Sequence, residues 1–226
     1  GRAFCEGFSV ISPNGVDLEK YEDLPSPPQA RDILGWEQCF TVGYTGHLYE
    51  GRGMDVLLEL AERNPDLRFV WAGGEPDQVR RWQQRLADAG VSNTMLLGFI
   101  PNAELPEIQA ACDVLMMPYK RRISVSSGGD TALYASPMKA FEYLAAGRVI
   151  MSSDLPVVRE VLNERNAVLL PPEEIDAWDR ALKAVQHDPG RHALAAKARE
   201  DAQQYSWVER ERRALQGLES EIGYGS

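Results

Sequence analysis

Cationic excess, paired cysteines and long apolar runs are all missing from this 226-residue chain, and each absence removes a class of function. Acidic residues outnumber basic ones by 34 to 24, for a net charge of -10 and a pI near 4.9. Such a balance excludes a general polyanion-binding surface, so no nucleic acid partner is expected. Cysteine occurs only at Cys5, Cys39 and Cys112. That odd number, without metal-ligand spacing, argues against a disulfide framework or a zinc site and fits a reducing, cytoplasmic compartment. No apolar run approaches the roughly 20 residues of a membrane span. The opening Gly1-Arg2-Ala3-Phe4-Cys5 is not a signal peptide and lacks an initiating methionine, so a piece of a longer protein is expected. There is no internal repeat. A dinucleotide-binding dehydrogenase would need Gly-x-Gly-x-x-Gly after its first strand, and Gly43 and Gly46 do not supply it. No Asp-x-Asp pair is found, so no metal site is assigned.

What is present is apolar alternation. At 44% hydrophobic residues the chain can bury a sizeable core. Residues 8–17 read as a short strand leading to a turn at Asn14-Gly15, and residues 21–37, rich in Pro and acids, as a linker with one helical turn. From Cys39 onward strands and helices alternate: Phe40–Tyr44, Leu67–Ala72, Thr94–Leu97, Val114–Met117, Val149–Met151 and Ala167–Leu170 as strands. Between and after them Met54–Arg63, Gln78–Ala89, Glu104–Cys112, a helix starting at Ser136, Val157–Leu162 and Ile175–His187 read as helices. Strands this apolar, alternating with helices, predict a parallel sheet covered on both faces: a Rossmann-like α/β domain over 38–188. Residues 1–37 form an N-terminal segment, and 189–226 add helices packing on the domain. The last helix is marked by the capping box Ser206-Trp207-Val208-Glu209. Its charged run Glu209–Arg213 reads equally as a solvated face.

The stretch from Ser136 to Gly147 carries most of the information. Ser136 suits an N-cap, Pro137 the first helical position and Gly147 a helix stop. Met138, Phe141, Leu144 and Ala145 recur at helical spacing. Lys139 and the free amides of the first turn suit a bound anion, and Glu142 follows one turn later at the edge of the apolar face. Taken as residues alone, this is equally a core helix whose Lys139 and Glu142 make an i,i+3 surface pair.

Ligands of open parallel sheets lie beyond the carboxyl ends of the strands, where four loops of this chain meet. One, Gly43 to Gly53, contains four glycines along with His47 and Arg52, and Gly46 lets backbone approach a ligand. The second holds Gly73 and the third Gly98-Phe99. The fourth, residues 119–135, is long and contains Lys120-Arg121-Arg122.

The segment Ser136-Pro-Met-Lys-Ala-Phe-Glu-Tyr-Leu-Ala-Ala-Gly147 resembles the donor-site helix of the GT4 family of retaining glycosyltransferases, which have the GT-B fold. Five other segments resemble that family's patterns: Ser12-Pro-Asn-Gly-Val-Asp17, the glycine loop at 43–53, Ala72-Gly73-Gly74-Glu75-Pro76, Gly98-Phe99-Ile100-Pro101-Asn102, and Tyr205-Ser-Trp207. The resemblance covers roughly residues 9–215 and implies the C-terminal, nucleotide-sugar-binding half of such an enzyme. It implies Arg52 and Lys139 as catalytic groups that stabilise the leaving diphosphate. Glu142 would bind the ribose hydroxyls, and Gly46, His47, Gly73, Gly98, Phe99, Ser136, Pro137 and Met138 would line the donor site. His47 stands where the family has Arg, which makes that phosphate contact weaker or pH-dependent. Tyr134 stands where a Glu is usual, so the E-x7-E pair is incomplete. No cofactor is implied, only a nucleoside-diphosphate sugar as donor substrate. The acceptor domain is expected to lie outside this chain, which should bind donor and turn over poorly alone. A GT-B sugar-nucleotide epimerase and a non-catalytic nucleotide-binding or interaction domain are the alternatives.

Overall fold

The computed structural model describes residues 15–49, 51–121, 138–209 and 212. Its elements run α1 (Pro27–Leu34), β1 (Thr41–Thr45), α2 (Met54–Arg63), β2 (Arg68–Ala72), α3 (Pro76–Asp88), β3 (Thr94–Gly98), α4 (Leu105–Ala110) and β4 (Val114–Met117). After these come α5 (Met138–Ala146), β5 (Val149–Ser153), α6 (Pro156–Arg159), β6 (Val168–Leu170), α7 (Ile175–His187) and α8 (Arg191–Ala202). The six strands are all parallel, in the order β3-β2-β1-β4-β5-β6. This is the doubly wound Rossmann arrangement that the apolar alternation predicts, with its topological switch point between β1 and β4.

Strand period 2 sends each side chain to one of two cores. Val42 and Tyr44 of β1, Phe69 and Trp71 of β2, Val114 and Met116 of β4, and Val149 and Met151 of β5 pack beneath α2, α3 and α7. The intervening Leu115, Met117 and Ile150 face α5, α8 and the N-terminal segment. A strand buried on both faces cannot read as alternating polar and apolar, which explains its unbroken apolar sequence.

Three local features depart from the sequence expectation. Residues 21–37 hold more than one helical turn: α1 has eight residues, started by Ser26 and Gln29 in a capping box with Pro27 at its first position. Its main anchor is polar, not apolar: Arg31 is buried and donates to Asp113 (2.8 Å) and to the Ala111 carbonyl (3.0 Å). Hydrophobic periodicity cannot register such an anchor. The α6 helix is four residues long and ends at Arg159, short of the expected Leu162. In the described part of 8–17, Val16 makes only a single parallel bridge with Ser206, and the rest of that segment lies outside the described residues. At the other end of the chain, Ser206 Oγ accepts the amide of Glu209 at 3.1 Å, half of the expected capping box. The continuation of that helix lies outside the described residues, apart from Arg212. Among the described residues, no helix is long and apolar enough to cross a membrane.

Candidate functional site

The switch point gathers three loops around a cleft of about 200 Å3. Of the residues singled out from sequence, Gly46, His47, Gly73, Phe99, Lys139 and Glu142 line it. Thr45, Glu75, Ile100 and Asn102 join them. Ser136 and Pro137, with the 122–137 part of the long loop, lie outside the described residues. Met138 opens α5 with its side chain exposed. Gly98 stands one step back, its carbonyl accepting the Gly73 amide at 2.6 Å.

The loop after β1 is held by backbone geometry. Gly46 has a φ of +136°, a conformation open to glycine and strained for other residues. A Cβ added there would collide with Nζ of Lys139, so the ammonium lies directly against the Gly46 backbone. Gly53 (φ +76°) faces the carbonyl oxygen of Pro118, which leaves no room for a side chain. Between these glycines the loop is pinned from below. Tyr44 Oη donates to the His47 carbonyl at 2.7 Å, and the Lys120 amide donates to the Gly51 carbonyl at 2.9 Å. His47 stacks on Tyr49, with ring centroids 4.8 Å apart.

The second wall is the first turn and a half of α5. Phe141, Tyr143, Leu144 and Ala145 are buried, and this burial rolls Lys139 and Glu142 to the edge that faces the loop after β1. Lys139 points over the Tyr44 ring, 5.8 Å from its centroid. Burial pulls its pKa down to about 8; Glu142 opposes that shift and Arg52 adds to it. Burial likewise raises the Glu142 carboxyl, against the pull of Lys139 and Lys20. Lys139 therefore lies across the glycine loop instead of forming the solvated pair with Glu142 that local sequence allows. His47 is lowered by burial and by the charges of Lys139 and Arg52, with Glu75 opposing, which leaves its ring uncharged near pH 7.

Arg52 occupies a different place from Lys139. Its guanidinium sits 5.0 Å over the Tyr119 ring, just past β4, and it does not line the cleft. Its Nε is buried without a hydrogen-bond partner, and its charge is near enough to depress Lys139 and His47. The two cations thus act on one edge of the sheet, Lys139 from against Gly46 and Arg52 from over the Tyr119 ring.

Sequence reasoning missed the supports below the cleft. Tyr143 Oη accepts the Thr45 amide at 2.9 Å, and Gln109 Nε2 donates to Thr45 Oγ1 at 3.3 Å. All three residues are fully buried, or nearly so. Together they fix the end of β1 from α5 and α4. Their only trace in the sequence is polar residues on otherwise apolar faces. Among the described residues, no cluster of His, Cys, Asp and Glu could hold a metal ion.

Comparison with known proteins agrees with this geometry. Residues 39–188 match the family model described as glycosyl transferases group 1. The phosphatidyl-myo-inositol mannosyltransferase of Mycolicibacterium smegmatis is 28% identical over 211 residues, covering 88% of this chain and 48% of that protein. The chain therefore spans about half the length of the curated relatives it matches. Among solved structures, Anabaena Alr3699/HepE in complex with UDP and glucose superposes with a TM-score of 0.74 at 22% identity, over 92% of this chain and 55% of that one. The C-terminal domain of a group 1 family protein, LpcC from Francisella tularensis, is covered completely, at a TM-score of 0.70, 18% identity and 85% of this chain. With its Rossmann-like half of a GT-B fold and the family match across two thirds of its length, the chain belongs to the group 1 glycosyl transferases.

Proposed function

We propose that this chain is the donor-binding half of a GT4-type retaining glycosyltransferase, taking a nucleoside-diphosphate sugar in the cleft between β1 and β4. The observation that carries this reading is the placement of Lys139. An ammonium lies against the backbone of a glycine loop, at the start of a helix, with a carboxylate one turn further on, and both residues are half-buried. A partly desolvated cation with a depressed pKa is costly unless an anion compensates it, and a diphosphate supplies that anion. Lys139 and the first-turn amides of α5 would bind the diphosphate and stabilise the charge it gains as the bond to the sugar breaks. Arg52 reinforces the field from beyond the loop. His47, uncharged near pH 7, adds a hydrogen bond at most. Glu142 would accept the ribose hydroxyls, and Gly73, Gly98 and Phe99 would border the base.

The acceptor would be held by a further domain, since the relatives are about twice as long, and a cytoplasmic location fits the thiol chemistry of the sequence. HepE's complex with UDP and glucose makes uridine diphosphate the first nucleotide to try. Titration calorimetry with uridine, guanosine and adenosine 5′-diphosphates tests the proposal. Saturable binding of at least one, without added metal, is the expected result. Binding of none would overturn the reading.

A further inference from the structure

The topological switch point leaves a backbone donor in need of a partner. β1 and β4 pair at Val42–Val114 and Gly43–Leu115, whereas the ladder between β1 and β2 continues to Thr45 and Ala72. The Gly46 amide donates to the Ala72 carbonyl at 2.7 Å, on the β2 side. By the strand's period of 2 the Thr45 amide turns to the other side, where pairing with β4 has already ended at Gly43. A buried amide there costs free energy unless something replaces the strand. The replacement is a side chain: Tyr143 Oη accepts the Thr45 amide at 2.9 Å. The Thr45 hydroxyl lies 3.3 Å from the same phenol oxygen and accepts from Gln109 Nε2, also at 3.3 Å. Thr45 and Tyr143 are 2% and 0% exposed, so water is no substitute.

Tyr143 follows Lys139 by four positions on α5, and residues so spaced share a helix face. Thr45 and Gly46 are neighbours at the end of β1. Tyr143 bonds the first of them and Lys139 lies against the second. The two contacts form one seam between α5 and the glycine loop, and so between the two walls of the cleft. The body of α5 packs along α8 and α4. Apolar packing does not call for the phenol oxygen, since a phenyl ring fills the same space. What the oxygen adds is a bond of fixed length and direction.

We propose that Tyr143 is a positioning residue for the diphosphate: by holding the end of β1 to α5 through the Thr45 amide, it fixes the spacing between the Lys139 ammonium and the Gly46 loop. This role rests on the donor-site reading above but belongs to a residue beneath the cleft. Its signature differs from that of Glu142. Glu142 would touch the ribose, so its loss spares pyrophosphate. Tyr143 acts where the diphosphate is held, so its loss weakens pyrophosphate and nucleoside diphosphate by the same factor.

The test is calorimetric titration of the whole chain with inorganic pyrophosphate and with the tightest of the three nucleoside diphosphates. Wild type, Tyr143→Phe, Lys139→Met and the double variant are compared. Tyr143→Phe is expected to weaken both probes about three- to tenfold, the scale of one lost hydrogen bond. In the Lys139→Met background the same substitution should change nucleoside diphosphate affinity by no more than about twofold, because the group it positions is gone. Val185→Ala, in the core on the opposite face of the sheet, lowers the melting temperature away from the cleft and should leave both affinities at wild-type values. Gln109→Met removes the second bond to Thr45 and should weaken pyrophosphate in the same direction, which carries the test if Tyr143→Phe does not fold. A merely structural role predicts a lower melting temperature with both affinities unchanged. That result would overturn the positioning role while the wild type still binds. So would a loss confined to the nucleoside diphosphate, or an undiminished loss in the Lys139→Met background. A wild type that binds neither probe removes the donor-site reading, and this role with it.

Discussion

The two walls of the cleft are built by opposite means. The loop after β1 is shaped by its backbone: Gly46 and Gly53 hold conformations that strain other residues, and a Cβ at either would collide with neighbouring atoms. The start of α5 is shaped by its side chains, since the burial of Phe141, Tyr143 and Leu144 decides where Lys139 and Glu142 come to rest. One wall therefore keeps its form whatever charge it faces, while the other carries the charge. Altering the first should cost folding, and altering the second should cost binding. Four measurements test that contrast.

The largest effect is expected from Gly53→Ala. Its Cβ would run into the Pro118 carbonyl, a backbone atom that cannot swing away. A stability loss of about 3 kcal/mol follows, lowering Tm by roughly 6–12 °C in a domain of this size. Thermal unfolding followed by circular dichroism reads it. An unchanged Tm would mean that the loop is not the rigid wall described.

Lys139→Met should do the reverse. It removes a charge held at a desolvation cost and keeps most of the stem that lies against Gly46. Stability should hold or rise, while nucleoside diphosphate affinity falls about a hundredfold, or roughly 2.7 kcal/mol. A large drop in Tm would place Lys139 with the structural wall instead.

For Glu142→Gln the expected loss is about tenfold to a hundredfold in nucleoside diphosphate affinity, with pyrophosphate unaffected. Tm should stay close to that of the wild type, because the carboxyl is half-buried and is charged only against its desolvation. If affinity is unchanged, the carboxylate has no part in binding.

The smallest effect is in pH. Burial holds Lys139 near pKa 8 in the free chain, so above that pH an anion must first recharge it. Diphosphate affinity should fall as pH rises past 8, at a slope approaching tenfold per unit. Folding stability runs the other way. Below pH 8 the folded chain bears a penalised charge that the unfolded chain does not. That penalty is lifted between about pH 8 and the usual lysine value near 10.5. Calorimetry at pH 7, 8 and 9 with wild type and Lys139→Met separates this proton from others, since the variant should lose the slope.

The architecture is legible in the sequence. Doubly buried strands must be continuously apolar, amphipathic helices must alternate with them, and parallel pairing with right-handed crossovers then leaves few arrangements. The six strands and the longer helices are legible on those grounds. The glycines of the first loop are legible too, because positive φ has few other solutions. Tertiary structure alone decided the rest. The α1 helix stands on the buried Arg31–Asp113 pair, whose partners lie 82 positions apart, and no local pattern can report such a pairing. Lys139 could equally have paired with Glu142 on the surface. Its course across Gly46 depends on how α5 docks beside β1, which is a matter of packing between distant segments. The same holds for Gln109, Thr45 and Tyr143. Each is an unremarked polar residue in sequence, and only the docking of α4 and α5 against the end of β1 brings them into one buried chain, where every polar group must find its partner among whatever the fold has placed nearby.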